Sequence, residues 1–208
     1  VDTGGVGWKV EGRAVVRLTG ELWMCNEFAQ EKTWRHYRDL MAGEGAEILS
    51  EPPADLPFGS IRPSENAAVL GATPGGTRLD LLPWGWTPPG GGGGLVINIQ
   101  SEKRRDPPLA RGVVPVDRFY EFRGAKAPKS KFAFTPAVNE PLGFAAVVKN
   151  GRFALLTTAP NADVAPIHGR MPVTLRLGDW RRFLTACAWP AELAAPAPDG
   201  TLQAIQVR

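Results

Sequence analysis

The chain has 208 residues, 43% of them hydrophobic, with 24 basic against 21 acidic side chains and a formal net charge of +3. That apolar share suffices for one domain with a real core, while no apolar run nears the about 20 residues that a bilayer-spanning helix needs and no secretory signal pattern opens the chain. The expectation is a soluble cytoplasmic protein with no membrane association. Its two cysteines, Cys25 and Cys187, stay reduced, and two histidines, His36 and His168, are too few for a clustered zinc site, so neither metal nor organic cofactor is implied.

With 24 Gly and 20 Pro, the chain is punctuated every few positions, which favours short strands and loops over long helices. In chain order, residues 13–18 read as a strand, followed by Cys25 in the stretch Met24-Cys25-Asn26-Glu27-Phe28. A helix is expected over 31–42, with Trp34, Tyr37, Leu40 and Met41 at helical spacing. Strands follow at 67–71 and 78–82. Gly90 to Gly94 lacks the Lys-Ser or Lys-Thr and the helix of a phosphate loop, and reads as a flexible connection into a strand at 95–99 that carries Asn98. A long strand at 112–122 carries Glu121, and strands are expected at 132–135, 142–148, 153–158 and 202–207. His168 falls in Ile167-His168-Gly169-Arg170-Met171-Pro172-Val173. A second helix at 180–187 is expected to take Asp179 as its cap and to bury Cys187 beside Trp180, Phe183 and Leu184. The fold class is α+β, a mainly β single domain.

Four dispersed side chains stand out: Cys25, Asn98, Glu121 and His168. A thiol, an amide, a carboxylate and an imidazole can supply a nucleophile, a positioning group and two proton-transfer groups for one carbonyl-directed reaction. Between Lys103 and Lys131 there are nine cations against three anions, so the basic excess is local, as expected for a surface that meets phosphate backbones.

The motifs around these positions resemble the SRAP family, named for SOS-response-associated peptidases. The resemblance runs from Met24 to about Leu184. Met24-Cys25-Asn26-Glu27-Phe28 is similar to the family's Met-Cys-Gly-Arg-Phe, and Ser60-Ile61-Arg62-Pro63-Ser64 to Asn-(Ile/Val)-Ala-Pro-Thr. Trp84-Gly85-Trp86-Thr87-Pro88 looks like Trp-Gly-Leu-(Ile/Val)-Pro, and Asn98-Ile99-Gln100-Ser101-Glu102 resembles Asn-Ala-Arg-x-Glu. Arg111 to Phe122 and Ile167 to Val173 follow two further family stretches. The resemblance implies a β-barrel or bifurcated-sheet core with a few flanking helices. It also implies a protein that crosslinks to ring-opened abasic sites in single-stranded DNA. Cys25 would then be the reactive residue, Asn98 the positioner, and Glu121 and His168 the proton-transfer pair. The candidate DNA contacts are Arg62, Trp84, Trp86, Arg111 and Arg170.

Such chemistry needs a free α-amine at Cys25, because the amine forms an imine with the aldehyde and the thiol closes it to a thiazolidine. Residues 1–24 are accordingly expected to be an extension, either a propeptide removed by cysteine autopeptidase activity or sequence ahead of a true start at Met24, with 25–208 as the domain. A divergent member that no longer crosslinks is the third alternative. Asn26-Glu27 and Gln100 remove two cations expected near phosphates, which weakens DNA binding and its salt dependence. A non-catalytic single-stranded DNA binding module is therefore the competing reading, and a general cysteine peptidase a weaker one. The expected partner is single-stranded DNA with abasic sites, with nucleoid association when bound and no obligate protein partner.

Overall fold

The computed structural model describes residues 25–90, 94–103, 109–124 and 126–208. The first expected strand and most of the glycine run lie outside these residues. β1 (Phe28–Gln30) leads into α1 (Trp34–Gly43), whose first turn is capped by Thr33, its hydroxyl accepting the His36 N–H. Next come β2 (Gly59–Ile61), β3 (Asn66–Thr73), β4 (Gly76–Pro83), β5 (Asn98–Gln100), β6 (Ala110–Val116), β7 (Arg118–Arg123) and β8 (Ser130–Pro136). β9 (Leu142–Lys149), β10 (Arg152–Thr158), β11 (Met171–Pro172), β12 (Thr174–Arg176), α2 (Leu177–Thr185) and β13 (Leu202–Gln206) complete the order.

The strands form two sheets. One runs β13-β8-β7-β1-β2; the other runs β11-β10-β9-β6-β3-β4, with β12 on β9 and β5 parallel to β10. The domain is mainly β and α+β as expected, without closing into a barrel among the described residues.

The runs Ala67-Ala68-Val69-Leu70 and Phe144-Ala145-Ala146-Val147 are apolar at every position because the larger sheet is covered on both faces. Side chains alternate across a strand. Ala67, Val69, Val114, Phe144, Ala146, Phe153 and Leu155 accordingly face the smaller sheet. Ala68, Leu70, Val113, Ala145, Val147 and Leu156 share the opposite core with Tyr37 and Met41 of α1 and Trp180, Phe183 and Leu184 of α2. Between the sheets, the Phe28 ring lies 5.0 Å from Trp84 and 6.0 Å from Phe144, and Phe119 lies 5.4 Å from Phe144. Burying each such ring is worth about 1.5–3 kcal/mol.

Two polar devices join the sheets. The buried Gln30 amide donates to the Ala68 and Pro115 carbonyls and accepts the Ala68 N–H, tying β1 to β3 and β6. Asp117, between β6 and β7, donates its N–H to the Ala29 carbonyl while its carboxylate accepts the Glu31 N–H and pairs with Lys32. The expected single strand over 112–122 is therefore two strands in different sheets, with a corner at Asp117.

Two further expectations are corrected. The second helix starts at Leu177, so Asp179 sits inside its first turn, paired with Arg182, and does not cap it. The helix ends at Thr185, and the extended ψ of 134° at Ala186 takes Cys187 off the buried face, leaving it exposed.

Candidate active site

Cys25 opens the described chain just ahead of β1 and is fully buried. Its backbone is held from both sheets. The Cys25 N–H donates to Glu121 Oε1 at 2.8 Å, from β7 in the smaller sheet, and its carbonyl accepts from Asn98 Nδ2 at 3.3 Å, from β5 in the larger one. These three residues, 73 and 96 positions apart, are thus brought into direct contact. The Cys25 Sγ–H points to the Glu27 carbonyl oxygen at 3.8 Å, an oxygen that also accepts the Tyr120 N–H.

Glu121 stands on β7 between Tyr120 and Phe122, its side chain turned inward. Burial destabilises its charged form and pushes its pKa up to about 8, partly opposed by the Cys25 N–H. The Cys25 thiol is raised well above the ordinary range by burial, then by the negative charges of Glu121 and Glu27, against the opposing hydrogen bond to the Glu27 carbonyl. The resting site at neutral pH is thus a protonated thiol beside a carboxyl group that can give or take a proton.

His168 precedes β11 and is largely buried. Its Nδ1 lies 2.9 Å from the Arg170 carbonyl oxygen and 3.2 Å from the Arg170 nitrogen, so the Arg170 backbone orients the ring. Val164, Ile167 and Met171, on either side of His168 in sequence, pack in the same apolar cluster as Cys25. The ring nitrogen contacts found are with the Arg170 backbone, and no hydrogen bond joins the imidazole to Cys25 or Glu121.

The five candidate DNA contacts separate. Arg62 has a side chain 62% exposed and reaches the Glu27 carboxylate at 3.4 Å. Trp84 is fully buried, its indole N–H donating to the Ile97 carbonyl at 2.9 Å, and Trp86 is buried in the helix-side core. The Arg111 guanidinium donates to the Leu184 and Ala186 carbonyls at the end of α2, which suits the negative end of a helix. Arg170 makes a two-pronged pair with Glu102 at 2.7 and 2.8 Å and donates to the Thr157 carbonyl.

One feature escaped sequence reasoning. Glu27, counted there only as a missing cation, is a buried carboxylate held by Lys131 Nζ at 2.8 and 2.9 Å. Lys131 was visible only as one member of a basic run; its pairing depends on β8 lying beside β7. Among the described residues no cluster of three or more His, Cys, Asp or Glu could hold a metal ion, and no helix is long and apolar enough to cross a membrane.

A two-sheet, mainly β domain whose buried cysteine backbone is clamped by a carboxyl and an amide defines a cysteine-centred domain. The sequence model of the SOS response associated peptidase (SRAP) family matches residues 24–208, and the chain belongs to that DNA-damage-associated family. A protein from Bordetella bronchiseptica is similar in structure, with a TM-score of 0.66 and 22% identity over 88% of this chain and 100% of its own. So is a phage-related protein from the same organism, with a TM-score of 0.66 and 22% identity over 88% of this chain and 94% of that one. A protein from Bacteroides thetaiotaomicron reaches a TM-score of 0.67 at 15% identity, over 88% of this chain and 92% of its own. At these identities the likeness is one of fold. A search of the curated proteins finds no match.

Proposed function

We propose that this SRAP domain exposes Cys25 by cleaving the bond after Met24 and then captures abasic sites in single-stranded DNA as a thiazolidine. The observation that carries this reading is the Glu121 carboxyl 2.8 Å from the Cys25 nitrogen, the atom that is the leaving group in the first reaction and the nucleophile in the second.

In the cleavage, Cys25 Sγ attacks the Met24 carbonyl carbon and passes its proton to His168, from which Glu121 is later reprotonated. The C–N bond breaks as Glu121 delivers a proton to the departing nitrogen, and water hydrolyses the resulting thioester to release residues 1–24 and restore the thiol. In the capture, the freed amine adds to the sugar aldehyde and Glu121 protonates the departing water. The thiol then adds to the imine carbon, and its proton ends on the nitrogen. Aldehyde and aminothiol give thiazolidine and one water. Asn98 holds the Cys25 carbonyl so that amine and thiol stay on one side, and His168 is the second proton-transfer group.

The test is the intact mass of chains beginning at Val1 and at Cys25 after incubation with a short single-stranded oligonucleotide carrying one abasic site. Both chains are expected to converge on one adduct lacking residues 1–24, and Cys25→Ser is expected to form none. If neither chain gains DNA mass while undamaged single strands still bind with strong salt dependence, the domain is a binding module and the crosslinking reading fails.

A further inference from the structure

Beside Cys25 lies a pocket of about 360 Å³ lined by Asn26, Glu27, Arg62, Pro63, Phe122, Lys131 and Arg208. Its side chains carry three cations and one carboxylate. Glu27 is buried and engages two of those cations, but it neutralises only one, so the wall keeps a net charge of +2. The cations also surround aromatic faces: Lys131 Nζ lies 4.0 Å above the Tyr120 ring and 5.8 Å from Phe122, and the Arg208 guanidinium lies 5.8 Å from Phe122. Arg62 lines the pocket, is mostly exposed, and makes only a long guanidinium contact to Glu27, which leaves most of its donors to a ligand.

We infer that this pocket is a nucleotide subsite, in which Arg62, Lys131 and Arg208 hold a backbone phosphate next to the reacting sugar, Phe122 packs against that nucleotide, and Glu27 sets the strength of the grip. The inference rests on the crosslinking reading, because only a molecule engaged at Cys25 brings its neighbouring groups here. The same Glu27 that governs the pocket's charge offers its carbonyl to the Cys25 thiol. A phosphodiester carries one negative charge, which the +2 left on these side chains more than offsets. Lys131 has two of its three donors on Glu27, so removing the carboxylate's charge frees it for the phosphate. Glu27 is thus a brake on DNA affinity.

The experiment is fluorescence anisotropy of a short undamaged single-stranded oligonucleotide with the full chain at several salt concentrations, paired with mass measurement on the abasic oligonucleotide. Glu27→Gln, which keeps shape and loses charge, is expected to tighten binding about fivefold at low salt. Arg62→Ala is expected to weaken it and to flatten the log–log salt slope by about 0.7. The double variant Glu27→Gln/Lys131→Met, with both buried partners removed and the net pocket charge of the native chain, is expected to return to near-native affinity. Equal affinities and slopes for the native chain, Glu27→Gln and Arg62→Ala overturn the subsite. In that event a mass gain on the abasic oligonucleotide leaves crosslinking standing without it, and no mass gain brings down both.

Discussion

Replacing Glu121 by glutamine tests the most consequential electrostatic feature of the site. The carboxyl is raised from its ordinary 4.5 to about 8 by burial, so the folded state keeps its proton where the unfolded chain has released it. Its contribution to stability is complete below pH 4.5 and falls as pH rises towards 8, at about 1.4 kcal/mol per pH unit. The whole window is worth on the order of 5 kcal/mol, and the span from pH 5.5 to 7.5 about 2–3 kcal/mol. In the Glu121→Gln variant the side-chain amide oxygen would still accept the Cys25 N–H, but the group cannot titrate. Urea unfolding at pH 5.5, 6.5 and 7.5, both proteins in a Cys25→Ala background to prevent cleavage, should show the native carboxyl losing about 2–3 kcal/mol relative to the amide across the range. Parallel pH profiles for the two would show that Glu121 is ionised throughout, and its role as a neutral-pH proton donor would be refuted.

Gln30→Leu removes three hydrogen bonds that cross between the sheets and strands the Ala68 and Pro115 backbone groups in the core; thermal unfolding should show a loss of about 3 kcal/mol, with the Gln30→Glu change no rescue. Gly143→Ala would place a methyl 2.6 Å from Trp180 Nε1 and 2.7 Å from Val113 Cγ1, so overpacking should cost about 1–3 kcal/mol and shift the tryptophan emission. A thiol reagent added at pH 7 to chain whose intact mass shows residues 1–24 still attached should modify one cysteine quickly, and Cys187→Ser should abolish that fast phase, because Cys25 is buried and held protonated while Cys187 is exposed. A fast phase that survives Cys187→Ser would contradict the buried position of Cys25.

The mainly β class, most strands and both helices were legible in the sequence, because period and punctuation are local properties. Ala67-Ala68-Val69-Leu70 and Phe144-Ala145-Ala146-Val147 are apolar enough to be strands under any topology, and Trp34, Tyr37, Leu40 and Met41 repeat at helical spacing whatever they pack against. The short strands Phe28–Gln30 and Gly59–Ile61 had too few residues to show a period. The division of 112–122 at Asp117 was hidden because the apolar alternation continues across the corner while the chain changes sheets. Cys187 continued the helical spacing, yet the helix had already ended.

The residue types of the site, and their family motifs, were likewise readable from the chain itself: Cys25, Asn98, Glu121 and His168 sit in short contexts that need no coordinates. What only the tertiary structure decided is how they stand to one another. Cys25 is gripped by groups from two different sheets; Glu121 is buried and so holds its proton to about pH 8; Trp84, Arg111 and Arg170 turn their polar groups to partners inside the protein; and Glu27 gathers Lys131 and Arg62 around it. The physical reason is the same in each case. Propensity and patterning act over a few neighbouring residues, whereas burial, ion pairing and the proton affinity of a carboxyl are set by whatever distant strand is folded against it.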